Sequence, residues 1–261
     1  RALLVTDKTL VKVGLADQVQ SHLASGVSHV TVFDGGEPEP SINALLNCYR
    51  FASQQKPDLL VGLGGGSNMD LAKIVGVLLT HGGKPQDYFG EGLVPGPILP
   101  LIAVPTTAGT GSEVSHAGVL TDTANNIKVA IASNYLRPRV AVVDPLMTVT
   151  CPPQATADSG IDALTHAIEA YMATDSAALD IPEGEVSIYQ GRNPLGTALV
   201  EPAIRLIVCH LREAVKNGQN LTAREGMHLG ALIAGMGFSN VGVGAVHALE
   251  YPIGGAVHCS H

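Results

Sequence analysis

Two pairs of residues in this chain have the types and spacing of metal chemistry. Asp162 and His166 lie in Gly160-Ile161-Asp162-Ala163-Leu164-Thr165-His166, a segment of helical character. A spacing of i, i+4 sets the carboxylate and the imidazole on one helix face. Farther along come His247 and His261, separated by a stretch with Pro252, Gly254 and Gly255 that reads as a loop. One carboxylate with three imidazoles suits a divalent transition metal that keeps a position open for substrate. Such a site polarises an oxygen, which is chemistry rather than scaffolding. The chain has ten histidines, so on spacing alone the helical pair also fits an ordinary surface or core pair. The surrounding motifs favour the metal.

Gly62-Leu63-Gly64-Gly65-Gly66-Ser67-Asn68-Met69-Asp70 follows an apolar strand and opens a helix. Glycine lets the backbone approach a phosphate, and a helix N-terminus offers N–H groups and a positive dipole end. A pyrophosphate fits there, although the usual dinucleotide fingerprint sits on the first strand. The same glycines also make a tight strand-to-helix turn. Pro105-Thr106-Thr107-Ala108-Gly109-Thr110-Gly111-Ser112-Glu113 is a second such loop, with four hydroxyls after a buried strand. It can ring a sugar or an amide with hydrogen bonds, or cap the next helix. Asp34 ends the second strand. An acid there accepts from ribose hydroxyls and repels a 2′-phosphate, or simply serves a turn.

The elements that position these residues are readable in outline. Strands are expected at residues 2–6, 29–33, 59–63, 101–104 and 141–143, and helices at 10–24, 41–55 and 69–79. Alternation of this kind implies a parallel sheet covered on both faces. Beyond Cys151-Pro152-Pro153 the pattern turns helical, with helices expected at 155–172, 195–216 and 222–237 and a loop at 181–194. The expectation is therefore an α/β dinucleotide-binding domain over residues 1–150 and an all-α metal-binding domain over residues 151–261.

Composition bounds the rest. Of 261 residues 46% are hydrophobic and 15% charged, enough for a sizeable core and against disorder. Fifteen basic and twenty-three acidic residues leave a net charge of −8, which argues against a nucleic-acid or anionic-membrane partner. No run reads as a membrane span and no signal peptide is visible. Cys48, Cys151, Cys209 and Cys259 form no C-x-x-C pair, so a reduced, intracellular protein is expected. Because the chain opens directly in a strand and closes on His261, it is expected to continue at both ends.

The glycine loop, the Pro-Thr-Thr-Ala-Gly-Thr-Gly-Ser-Glu loop, the Gly-x-Asp-x-Leu-x-His helix and the two later histidines together resemble the iron-containing (group III) alcohol dehydrogenases, over essentially the whole chain. The resemblance implies a dehydroquinate-synthase-like fold with the active site in the cleft between its domains. It implies metal ligation by Asp162, His166, His247 and His261, and pyrophosphate contacts at Gly65, Gly66 and Ser67 with Asp70 in the same turn. It implies further cofactor contacts at Thr106, Thr107, Thr110 and Ser112. Lys128 looks like the family lysine near the nicotinamide ribose, and Asp34 like the residue that favours NAD over NADP. Fe(II) is the expected metal, and the ligand set also suits Zn, Ni or Co.

Tyr189-Gln190-Gly191-Arg192-Asn193-Pro194, Met227-His228-Leu229 and Gly237-Phe238 are similar to the hydroxyacid-oxoacid transhydrogenase branch. The expected reaction is hydride transfer between an alcohol or hydroxyacid and NAD, or transhydrogenation with tightly held NAD. A non-catalytic nucleotide-binding protein of the same fold is a further reading. A metal-dependent cyclisation, as in dehydroquinate synthase, would need several basic residues, and only Arg192 and Arg224 lie nearby in sequence. A homodimer or larger assembly in the cytoplasm is expected, or in the mitochondrial matrix if the source is eukaryotic. Two departures from the family stand out. Tyr251 replaces a histidine that many members carry four residues after the third ligand; its ordinary pKa near 10 makes it a poor base at neutral pH, though it can orient substrate. His258 competes with His261 as fourth ligand, and the 14-residue interval from His247 favours His261.

Overall fold

The computed structural model describes residues 1–181 and 187–257. The chain divides into two compact units, Arg1–Thr106 with His116–Val142, and Thr107–Ser115 with Val143–His261. The hydroxyl-rich segment Thr107–Ser115 thus belongs to the second unit although it lies between strands of the first.

In the first unit, β1 (Ala2–Val5) leads through α1 (Lys8–Lys12) and α2 (Leu15–Leu23) to β2 (Val30–Phe33). The sequence suggested one helix over 10–24, but Gly14 at φ 83° breaks it in two. α3 (Ile42–Gln55), β3 (Leu59–Gly64) and α4 (Gly66–His81) follow, then β4 (Gly90–Glu91), β5 (Leu101–Pro105), β6 (Ala117–Asp122), β7 (Ile127–Ala132) and β8 (Val140–Ala141). The main sheet has the order β2-β1-β3-β5-β8 and is parallel throughout. Residues 60–63 of β3 are all buried; since alternate residues point to opposite faces, both faces of the sheet are covered. Strand order reverses between β1 and β3. In open α/β sheets that switch point is where ligands bind, beyond the carboxyl ends of the strands. The glycine turn after β3 stands there, which explains a phosphate loop that does not follow the first strand.

A second sheet, β4-β7-β6, was not expected from the sequence. Its centre is the β6–β7 hairpin, in which β6 alternates between half-buried and buried residues. The turn carries Asn126 at φ 52°, a left-handed conformation that asparagine tolerates.

The second unit is helical: α5 (Pro153–Met172), α6 (Pro194–Lys216), α7 (Leu221–Phe238) and α8 (Ala245–Val257). Its core joins Ala163, Ala167 and Ala170 of α5 to Val200, Ala203 and Ile207 of α6 and to Ala223, Met227, Ala231 and Ala234 of α7. Small residues at these positions let the helix axes approach closely. Asparagines start two of the helices: Asn193 accepts the N–H of Gly196, and Asn220 that of Ala223. By length and composition α6 is also apolar enough to cross a membrane, a run the sequence reading missed. Here it packs against α5 and α7. The segment after His247, read as a loop from its Pro and Gly, is instead the helix α8, which continues through Pro252. Its Ala-Val-His-Ala-Leu-Glu opening is helix-forming, and a single proline removes only one helical hydrogen bond.

Candidate functional site

α5 turns three functional side chains to one face. Asp162 and His166 are one turn apart and Glu169 follows at i+3 from His166; all three are buried. α8 brings His247, also buried, to the same place. Asp162 Oδ1 lies 3.4 Å from His166 Nδ1 and 3.4 Å from His247 Nε2. Donor atoms from Asp162, His166 and His247 lie within 4.8 Å of one another. Two donors that share one ion at about 2.1 Å stand roughly 3.0–3.5 Å apart, so this donor set fits a transition metal. His258 and His261, the two candidates for a fourth ligand, lie outside the described residues. Tyr251 lies on α8.

Two residues that the sequence did not assign to the metal site hold the cluster. Glu169 forms a very short hydrogen bond with His247 Nδ1, and it accepts the backbone N–H of Val246 at 2.6 Å. A carboxylate behind a ligating imidazole fixes its tautomer and turns the other nitrogen to the metal. Phe238 stacks on His166 at 4.3 Å and 18°, and His247 stacks on its ring at 4.3 Å and 24°. The periodicity of α5 signals Glu169, seven residues after Asp162; Phe238 stands out in sequence only within the Gly237-Phe238 likeness, which does not point to the metal site.

The two carboxylates also set the protonation of His247. Burial pulls the His247 pKa down, but hydrogen bonds and charge from Asp162 and Glu169 outweigh it and hold the pKa above its ordinary value. Burial pushes the Glu169 carboxyl up, and the bonds from His247, Gly244 and Val246 bring it below the usual range. A groove lined by Ala157, Ile161, Thr165 and Val246 opens beside Asp162 and His247.

The cofactor candidates of the first unit gather around the glycine turn. Gly64 has φ 143°, and an added Cβ would run into Asn68. Gly65 precedes α4 and no side chain caps that helix, which leaves its N-terminus suited to an anion. Asn68 donates to Asp7 Oδ2 at 2.7 Å and to the Leu63 carbonyl at 3.0 Å, tying the turn to the end of β1. Ser67 Oγ accepts the N–H of Glu39 at 3.2 Å. Thr106 is buried and donates its N–H to Gly64 O at 2.9 Å. Asp34 is exposed after β2. Asp70 is turned to the hairpin, where its Oδ2 accepts the N–H of Val119 at 3.0 Å, and Lys73 Nζ lies 3.7 Å from its other oxygen. Lys128 is buried and pairs with Glu39 at 2.9 Å.

Thr107, Thr110 and Ser112 belong to the second unit. Thr110 Oγ1 accepts the N–H of Ser112 at 3.2 Å. The glycines of this loop answer to packing: a Cβ on Gly109 would come within 2.6 Å of Ser159, and one on Gly111 within 2.6 Å of Gly235. Arg224 is committed to the fold, donating to Thr156 Oγ1 at 2.8 Å, Cys151 O at 3.0 Å and Gly218 O at 2.9 Å. Arg192 stands 3.7 Å from Asp175.

Comparison with known proteins follows the same division. Residues 1–145 match the family model of iron-containing alcohol dehydrogenases, and residues 185–261 the model of the C-terminal part of the Fe-containing alcohol dehydrogenase family. Long-chain-alcohol dehydrogenase 1 of Geobacillus thermodenitrificans is 42% identical over 99% of this chain and 62% of its own length. The crystal structure of 1,3-propanediol oxidoreductase superposes with a TM-score of 0.89 at 40% identity, over 99% of this chain and 63% of that one. Sulfoacetaldehyde reductase of Bifidobacterium kashiwanohense, solved with NAD+, gives 0.82 at 30% identity, over 98% and 64%. The chain thus spans less than two thirds of the length of these relatives.

Proposed function

Because the chain belongs to the iron-containing alcohol dehydrogenase family, we propose that it is a metal-dependent oxidoreductase that transfers a hydride between a small alcohol or hydroxyacid and NAD. NAD and iron are the cofactors of the family. The observation that carries the reading is the Asp162–His166–His247 cluster with Glu169 behind it. A structural ion pair needs no such convergence of two imidazoles on one carboxylate oxygen.

When bound, the ion supplies Lewis acidity that favours negative charge on an alcohol oxygen, and NAD supplies the hydride acceptor. The chain's own residues do the rest. Asp162 offsets cationic charge, and burial of the donor set excludes water. Glu169 holds the proton of His247 at Nδ1, so that Nε2 presents its lone pair. In the first unit Gly65, Gly66 and the start of α4 offer backbone N–H groups to a pyrophosphate. Asp34 offers acceptors to ribose hydroxyls, which favours NAD over NADP. Lys128 is assigned to the nicotinamide side, and Thr106, Thr107, Thr110 and Ser112 to the remaining cofactor contacts. The fourth ligand is assigned to His261 and substrate orientation to Tyr251.

Chelation followed by metal return tests the reading. Stripped protein should lose NAD-linked oxidation of short alcohols, diols and hydroxyacids, and Fe(II) should restore it best. Undiminished activity in stripped protein would refute the proposal. The same assay with 2-oxoglutarate and no free NAD sorts dehydrogenase from transhydrogenase. Among the segments that resemble the transhydrogenase branch, Asn193 caps α6, and Met227 and Gly237 are buried in α7; the assay decides between the two reactions. The proposal includes a homodimer or larger assembly, which light scattering would measure, and a cytoplasmic setting.

A further inference from the structure

Glu39 joins three parts of the first unit that chain order keeps apart. It stands in the turn between β2 and α3, and its φ of 50° is left-handed, a conformation that asparagine and aspartate adopt far more readily than glutamate. Each of its polar groups is engaged. The N–H donates to Ser67 Oγ at 3.2 Å, in the glycine turn. The carbonyl accepts Thr121 Oγ1 at 3.1 Å, on β6. The carboxylate meets Lys128 Nζ at 2.9 Å, on β7. The neighbouring Pro40 carbonyl accepts the N–H of Thr121 at 2.9 Å, so the turn is laid along the hairpin and clasped across it.

The chemistry of the two side chains gives this arrangement a direction. A serine hydroxyl has one proton to donate. Ser67 Oγ already accepts from Glu39, so its own proton is directed away from that turn and is available to a phosphate oxygen. The Lys128 side chain is only 3% exposed. A buried ammonium keeps its charge and its place through ionic partners, and Glu39 supplies one. We propose that Glu39 is a positioning residue for the dinucleotide: it orients the Ser67 hydroxyl and the Lys128 ammonium together, and thereby sets cofactor affinity without touching the reacting atoms. This rests on the NAD reading above.

The test uses Glu39→Asn, which keeps a residue at home in the left-handed turn but cannot reach Lys128, and Glu39→Gln, which keeps the reach and an acceptor but loses the charge. NAD affinity is measured by fluorescence titration, alongside KM and kcat. Glu39→Asn should weaken NAD binding by about tenfold, the loss of roughly one charge-assisted contact, and raise KM for NAD equally with kcat within a factor of about two. Glu39→Gln should fall between that variant and the natural protein. Thr121→Val, which removes only the contact to the Glu39 carbonyl, should lower the melting temperature and leave NAD affinity unchanged. Unchanged affinity in Glu39→Asn would overturn the proposal, as would equal losses in Glu39→Asn and Thr121→Val, because a purely structural tie would act alike in both. Absence of NAD binding by the natural protein would instead overturn the reading on which the proposal rests.

Discussion

His247 and His228 are both buried imidazoles in the helical unit, and their protonation moves in opposite directions. His247 faces Asp162 and Glu169, and its pKa is held above the ordinary value although burial opposes this. His228, on α7, is driven down to about 4 by burial; the backbone and charge of Asp144 do not offset this, and Arg224 adds to it. Burial alone therefore says little about function. Facing carboxylates favour the protonated ring of His247, and a metal ion would displace the proton from the coordinating nitrogen, whereas burial prevails at His228 and keeps that ring neutral. The comparison separates the candidate metal-binding cluster from a packed interior within the helical unit.

Removing each ring in turn should have the largest and most unequal effects. His247→Ala should lower metal affinity more than 100-fold, since even loss of an outer-shell partner costs about 10–100-fold. His228→Leu should leave metal content unchanged. Metal analysis after dialysis would read both. Next in size is Glu169→Gln, which keeps the shape but removes the acceptor charge behind His247. It should weaken metal binding by about 10–100-fold, measured by competition with a chelator. Equal affinity would show that Glu169 only packs.

A smaller effect concerns acid. The folded pKa of His228 lies below its unfolded value near 6.5, so the unfolded chain binds the extra proton first as pH falls. The neutral ring's contribution to stability is present above about pH 6.5 and is lost as pH falls through about 4, by up to roughly 3 kcal/mol. His228→Leu should show a shallower fall in melting temperature over that window than the natural protein. Parallel falls would contradict the assignment. Smallest is Phe238→Leu, which removes the ring stacked on His166. The loss of about 0.5–1.5 kcal/mol of ring contact should weaken metal binding by no more than about tenfold.

The parts of this molecule that were legible in sequence are those whose chemistry is local. The glycine run after β3 and the Asp162–His166 interval each state their geometry within a few residues, and the alternation of strand and helix states the sheet. The β6–β7 hairpin was overlooked because β6 reads as mixed in polarity; its period-two burial and the asparagine turn were the available signal. α8 was hidden by Pro252 and two glycines, residues that more often end helices. Glu169 was legible only in register, since a lone helical glutamate usually faces water. The roles of Glu39 and Phe238 depend on contacts made after folding, which neither residue's sequence neighbours state; the Glu39–Lys128 pair spans 89 residues of chain.

On the proposed reading, the imidazoles paired with carboxylates, and not buried histidines in general, hold the metal. Titration of Fe(II) into stripped natural protein, His247→Ala and His228→Leu under anaerobic conditions tests it most directly. Tight binding is expected for the natural protein and for His228→Leu, and loss of binding for His247→Ala. Binding by His247→Ala as tight as that of the natural protein would contradict it.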